Sequence, residues 1–255
     1  MAPSDLAHLT IDDRVATLSL NRPDARNALS IDLLEALHTQ MDAVESLCAQ
    51  PDRPVVLVVT GEGKSFCAGM DLKAVLGNAE LARTLLTRLA ELTLRIRAIP
   101  MVTVASVNGA AIGGGCGLSC VCDISISHVD AKLGFPEVDL GVCPAVVAPW
   151  VVRKLGASRA RQVLLSGGLM TGQRGHEIGL INHCVASRND LAARTVEITH
   201  AIASGGAMAL AATKGLLNEL DHSLDRDIVL KGAQLSADVL STDEAQQRLS
   251  AALKK

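Results

Sequence analysis

Apolar and polar residues alternate along Leu9–Asp12 and again along Val15–Leu20, with Asp12-Asp13-Arg14 between them. Period-two patterning on either side of a polar turn predicts a hairpin. After a loop rich in Pro, Asn and Asp, the period changes. Leu33, Leu37, Met41, Val44 and Leu47 fall on one helical face, and the helix they predict ends near Pro51. Ser30 stands where an N-cap belongs, and Leu29 and Leu34 flank it as a hydrophobic staple would.

Val55–Val59 has no polar position at all. Five apolar residues in a row, four of them valine, predict a strand buried on both faces, as in parallel sheets. A glycine-containing loop follows, then helical segments over 72–97. Met101–Val107 predicts a second buried strand, ended by Asn108-Gly109. Cys116–Cys122 reads as a short helix, Asp123–Ser127 as a strand, and Gly179–Val185 as one more. The chain after Pro136 and Pro144 reads as mostly helical to about Ser166, and helical patterning runs from Leu191 to the end. Strands alternating with helices, then helices alone, predict an α/β core with a helical tail.

Between Arg97 and Asp123 there is no charged residue. Pro100, Asn108, Gly109 and Gly113–Gly115 interrupt that stretch, so strand–turn–helix suits it better than a membrane span. No basic segment followed by an apolar run opens the chain, so no secretory leader is expected.

Two glycine loops each follow a buried strand: Gly61 to Asp71, and Asn108 to Gly115. Consecutive glycines before a helix leave backbone N–H groups uncovered, and the helix dipole adds partial positive charge there. Two such groups could hold an oxygen that becomes negative during reaction. Read alone, each loop fits an ordinary tight turn better, and neither matches a nucleotide-phosphate pattern. Glu137, in Phe135-Pro136-Glu137, has apolar neighbours that would raise its pKa toward neutrality if they buried it. Spacing alone fits a surface glutamate as well. Lys64, Lys73 and Arg22 flank the glycine loops and could meet a phosphorylated ligand.

Composition narrows the field. The chain has 255 residues, near the upper limit for one core. Only Phe66, Phe135 and Trp150 are aromatic, which excludes rows of stacking rings for single-stranded nucleic acid. With 24 basic and 27 acidic residues there is no basic stripe for a phosphate backbone. Seven scattered cysteines and seven scattered histidines offer no familiar metal spacing, so reduced thiols in a cytoplasmic protein are expected. No GxSxG nucleophile elbow occurs.

Together these pieces resemble the crotonase family, also called the enoyl-CoA hydratase/isomerase family. The matches run in order: Asn21-Arg22-Pro23 with Asn27-Ala28-Leu29, then Ser65 through Leu72, Asn108-Gly109 with Gly113-Gly114-Gly115-Cys116, Cys122-Asp123, Phe135-Pro136-Glu137, Leu140-Gly141 and Gly179-Leu180-Ile181. The resemblance implies an α/β fold, a crotonase-like stacked ββα spiral core over 1–198, with a C-terminal helical trimerisation region over 199–255. It implies acyl-CoA thioester substrates of fatty acid metabolism and a homotrimer or homohexamer. No cofactor and no metal is implied, CoA being part of the substrate, and neither nucleic acid nor membrane is a partner.

By the same resemblance the oxyanion hole falls on the N–H groups of Ala68 and Gly114. Substrate contacts fall on Ala68, Gly69, Met70, Asp71, Gly114 and Gly117, and the general acid/base on Glu137. Hydratases of the family commonly use two glutamates; the first maps onto Gly117, which has no side chain. Hydration by one glutamate is the leading expectation. A Δ3–Δ2 enoyl-CoA isomerase and a non-catalytic acyl-CoA-binding member are the alternatives, and decarboxylation would use the same hole. Ala145 stands where dienoyl-CoA isomerases and peroxisomal-type enoyl-CoA isomerases carry a carboxylate. Pro144–Arg153 looks most like hydratases of branched glutaconyl-type CoA esters. The end, Ala251 to Lys255, lacks the Phe that covers the CoA adenine in many members. The three aromatic residues are expected to form dry walls of the acyl-CoA site.

Overall fold

The computed structural model describes residues 5–254. Residues 1–4 and Lys255, which enter the readings of the leader and the tail, lie outside the described part. Two sheets organise the chain. The larger has the order β1 (Ala7–Asp12), β2 (Val15–Leu20), β3 (Val56–Gly61), β5 (Val102–Val107), β7 (Ile124–His128), β10 (His183–Val185). β1 and β2 are antiparallel and form the expected hairpin, with Asp13 at φ 49° in the turn. From β2 onward every pairing is parallel.

The all-apolar strand explains why a parallel sheet forms here. Leu57 and Val59 point into the main core, while Val56 and Val58 point into a second cluster with Val104, Ile126, Leu191 and Ile198. Alternate side chains leave opposite faces of a strand, so a strand covered on both faces must be apolar at every position.

The second sheet is small: β4 (Ser65–Cys67), β6 (Ala110–Ile112), β8 (Lys132–Gly134) and β9 (Leu169–Thr171), in that order. The sequence pattern puts β4 inside a glycine loop and β6 just after the Asn108-Gly109 turn. β3, β5 and β7 are each followed by a short strand and then a helix, so β3-β4, β5-β6 and β7-β8 repeat one stacked unit. The helices of the first two units are α2 (Leu72–Val75) with α3 (Ala79–Ala98), and α4 (Gly114–Val121). This mixed α/β spiral is the fold the resemblance implies.

Between the hairpin and β3 lies α1 (Ile31–Cys48), capped by Ser30, whose Oγ accepts from Leu33 N at 3.3 Å. Leu33, Leu37, Met41 and Val44 are buried, as their spacing predicts. After Pro136 the chain is less helical than expected. Val138–Leu140 makes one 3-10 turn, and α5 (Ala148–Ser166) begins only after Val147 and is interrupted by Gly156 at φ 73°. α6 (Gly172–Glu177) precedes β10. The rest is helical: α7 (Leu191–Ala203), α8 (Ala207–Leu220), α9 (Arg226–Leu240) and α10 (Asp243–Leu253). α7 runs through residues 198 and 199 and packs under the large sheet. No helix among the described residues is long and apolar enough to cross a membrane.

A charge cluster docks α8 on the core. Arg97, at the end of α3, bonds Asp123 at 3.0 Å and Asp221 at 2.9 Å, and buried Lys214 bonds Asp123 at 3.0 Å and Met101 O at 2.8 Å.

Candidate active site

The short sheet brings the candidate positions together. Residues 68–71 leave the end of β4, Gly113 and Gly114 follow β6 into α4, and Pro136-Glu137 follows β8. Because β4, β6 and β8 lie side by side and parallel, their C-terminal ends open on one edge. There they line a narrow cavity with about 80 Å³ of water-accessible space.

Among the described residues, Glu137 is the only acidic one on that lining. The residue keeps some exposure, but its Oε2 is fully buried and accepts no hydrogen bond among the described residues. Burial pushes its pKa from 4.5 up to about 7, against a smaller opposing effect from a bond to the residue's own backbone N–H. Gly113 makes room for it. A Cβ on Gly113 would stand 2.9 Å from Glu137 Oε1, and its φ of 54° suits glycine. Gly113 N also donates to Gly134 O at 2.8 Å, tying the end of β6 to the end of β8.

Gly114 is the first residue of α4, where an N–H has no partner in its own helix, and none appears among the described residues. It lines the cavity. The second expected donor stands otherwise. Ala68 N donates to Arg26 O at 3.0 Å, so that N–H is already used inside the chain. Two residues on, Met70 pairs with Leu29 as an isolated parallel bridge: Leu29 N donates to Gly69 O at 2.7 Å, and Asp71 N donates to Leu29 O at 2.9 Å. In such a bridge the central residue's own N–H faces away from the partner. Met70 N has no acceptor among the described residues and lies on the cavity lining.

Asp71 does not reach the lining; its carboxylate bonds Arg22 at 2.9 Å. Gly117 is also off the lining, one turn inside α4. A Cβ there would come 2.2 Å from Val147 Cγ1, so valine fills the space a longer residue would need. Of the three aromatics none lines this cavity. Phe66 and Phe135 are fully buried, and Trp150 lines a separate polar pocket with Arg97, Asp123, Arg153 and Lys154. The aromatic walls expected from sequence are replaced by aliphatic ones: Leu72, Leu86, Leu89, Ile112, Leu140 and Val146.

A model of the enoyl-CoA hydratase/isomerase family matches residues 10–253. The chain belongs to this family. It is 32% identical to 2,3-dehydroadipyl-CoA hydratase of Escherichia coli over 95% of its length and 93% of that protein's. It is 31% identical to crotonyl-CoA hydratase of Syntrophomonas wolfei, covering 96% and 93%. Among solved structures, an enoyl-CoA hydratase from Mycobacterium avium superposes with a TM-score of 0.86 at 28% identity, over 98% of this chain and 96% of that one.

Membership in the enoyl-CoA hydratase/isomerase family does not by itself reveal which helices wall this chain's cavity. Leu86 and Leu89 on α3 look like ordinary core positions. Ser236 on α9 has no sequence motif around it, although the buried small residues Gly232, Ala233, Ser236 and Ala237 signal close approach. Ser236 Oγ donates to Cys143 O at 2.8 Å and accepts from Val146 N at 3.1 Å, pinning the 143–146 segment to α9. Lys64 and Lys73 are exposed, whereas Arg22 is committed to Asp71 and to Ala28 O.

Proposed function

We propose that the protein is an enoyl-CoA hydratase in which Glu137 serves alone as general acid/base and the N–H groups of Met70 and Gly114 hold the thioester oxygen. The observation that carries this is the juxtaposition, in one cavity, of a single buried carboxylate, whose Oε2 accepts no hydrogen bond, with two backbone donors that bond nothing else among the described residues. With the carboxylate ionised, Glu137 takes a proton from water as the water oxygen bonds the β-carbon. The electron pair of the double bond moves onto the thioester, and the enolate oxygen lies against the two N–H groups. Glu137 then returns a proton to the α-carbon. Water has been added across the double bond and the carboxylate is regenerated.

The experiment is turnover of a 2-enoyl-CoA with product mass. Wild type gains one water, with solvent oxygen in the product. Glu137→Gln keeps thioester binding and loses roughly 10²–10⁴-fold in rate. Equal rates would remove Glu137 from the mechanism.

A second reading, Δ3–Δ2 isomerisation, is favoured by Val147 over Gly117, which leaves one carboxylate where moving a proton from C2 to C4 needs only one. A 3-enoyl-CoA converted without uptake of solvent oxygen, at a rate exceeding hydration, supports it.

Assembly into a homotrimer is proposed on α8. Only Lys214 and Asn218 of that helix are buried, while Met208 and Leu220 are 80% and 69% exposed. Apolar surface of that kind is covered in stable oligomers. Mass in solution should be three times that of one chain, and Met208→Glu with Leu220→Glu should reduce it.

A further inference from the structure

We propose that Arg22 is a positioning residue that aims the Met70 N–H into the cavity; this rests on reading that N–H as a donor to the thioester oxygen. Met70 lies in the four-residue link, 68–71, between β4 and α2. Its direction is set by the single bridge to Leu29. One Arg22 nitrogen fastens both sides of that bridge. Nη1 donates to Asp71 Oδ2 at 2.9 Å, next to Met70, and to Ala28 O at 3.1 Å, next to Leu29.

The anchor is itself held. Arg22 N donates to Asn27 Oδ1 at 2.8 Å, and Asn27 N donates to Arg22 O at 2.9 Å. Asn27 Nδ2 in turn bonds Glu62 O at 3.0 Å and Ser65 O at 2.8 Å, at the turn entering β4. Residues 22–29 therefore form a template against which the strand leaving β4 is laid. Arg22 is the part of it that grips the strand beyond Met70. A planar guanidinium has the fixed donor directions that such a double contact needs.

The consequence is specific. Loosening this grip leaves the aliphatic cavity and Glu137 in place but lets the Met70 N–H swing. Such a change weakens stabilisation of the enolate more than binding of the ground-state thioester. Arg22→Met keeps side-chain length and removes both bonds; Arg22→Lys restores charge without the planar fork.

The test measures kcat and KM on a 2-enoyl-CoA. It also follows the near-ultraviolet absorbance of 3-oxobutanoyl-CoA on binding, a thioester whose enolate absorbs where its keto form does not. Thermal melting checks the fold. Arg22→Met should lower kcat by roughly 10–100-fold, short of the 10²–10³ seen when an oxyanion donor is removed outright. KM should change by less than about threefold and the enolate band should fall, with Arg22→Lys recovering part of both.

An enolate band in wild type that is unchanged in Arg22→Met overturns the role of Arg22 while leaving the donor pair standing. No band in wild type overturns the donor pair, and the role of Arg22 with it. If Arg22→Met does not fold, Asp71→Asn weakens the same grip from its other end; wild-type kcat and band in that variant overturn the proposal.

Discussion

The Glu137 carboxylate rests against the bare Cα of Gly113, with Oε1 2.9 Å from where a Cβ would stand. Gly113 also has a φ of 54°. Gly113→Ala therefore meets two obstacles at once: a strained backbone and a methyl group pressed on the Glu137 carboxylate. We expect a stability loss of about 1–3 kcal/mol, the usual cost of such strain. Activity should fall more than the population of folded protein does. Parallel denaturation curves and rates per folded molecule check this; activity that simply tracks the folded fraction contradicts it.

Glu137 should leave a mark on both activity and stability as pH changes. Its folded pKa, about 7, lies above its ordinary 4.5, so the fold prefers the protonated form. Below about 4.5 the group costs nothing. As pH rises from 4.5 to 7, stability is lost, approaching roughly 3 kcal/mol above the folded pKa. Glu137→Gln removes that loss. Its melting temperature should rise above that of wild type by an amount that grows across this window and then levels off. The proposed hydration uses the ionised carboxylate, so kcat/KM should fall as pH drops through about 7. A variant no more stable at pH 8 than at pH 4.5, relative to wild type, would show that the carboxyl is better solvated than its surroundings imply.

Gly117 and Val147 compete for one volume, since a Cβ on Gly117 would lie 2.2 Å from Val147 Cγ1. Gly117→Ala alone should destabilise by about 1–3 kcal/mol through overpacking. In combination with Val147→Ala the penalty should shrink, giving a coupling energy of at least about 1 kcal/mol in a double-mutant cycle. Additive effects would mean that the helix moves instead of the valine.

The lining also bears on the acyl group. Among the described residues Glu137 is its only charged one, and the Ser236 hydroxyl is already engaged by Cys143 O and Val146 N. An acyl chain ending in a carboxylate would have to lose its hydration with no side-chain cation to meet it. Hexanoyl-CoA should therefore bind roughly 100-fold more tightly than adipyl-CoA of the same chain length, by calorimetry. Equal affinities would show that the chain end reaches water. The glutaconyl-type esters suggested by Pro144–Arg153 would then remain acceptable.

Much of this is legible in the sequence, and the parts that are not have a common cause. The long strands announce themselves because five or more residues carry a period. β4, β6 and β8 have three residues each, too few for any period, and they stand beside glycines that read as turns. Yet those three strands hold the site together. The shift from Ala68 to Met70 has the same origin: which N–H is free depends on the bridge to Leu29, some forty residues earlier in the chain, not on the local motif. Glu137 is recognisable by its neighbours, but only folding decides that Oε2 is left without a partner. Proximity in sequence to Pro144 puts Trp150 near the site, whereas the turn into α5 carries it to another pocket.

The large sheet is covered by two separate cores, and the outer one, with Val56, Val58, Val104 and Ile126 packed on Leu191 and Ile198, contributes nothing to the cavity lining. Damage there should shorten the working life of a molecule without altering how fast each intact molecule turns over. Durability and speed are thus written into different faces of the same strands, and each can be altered while the other is left alone.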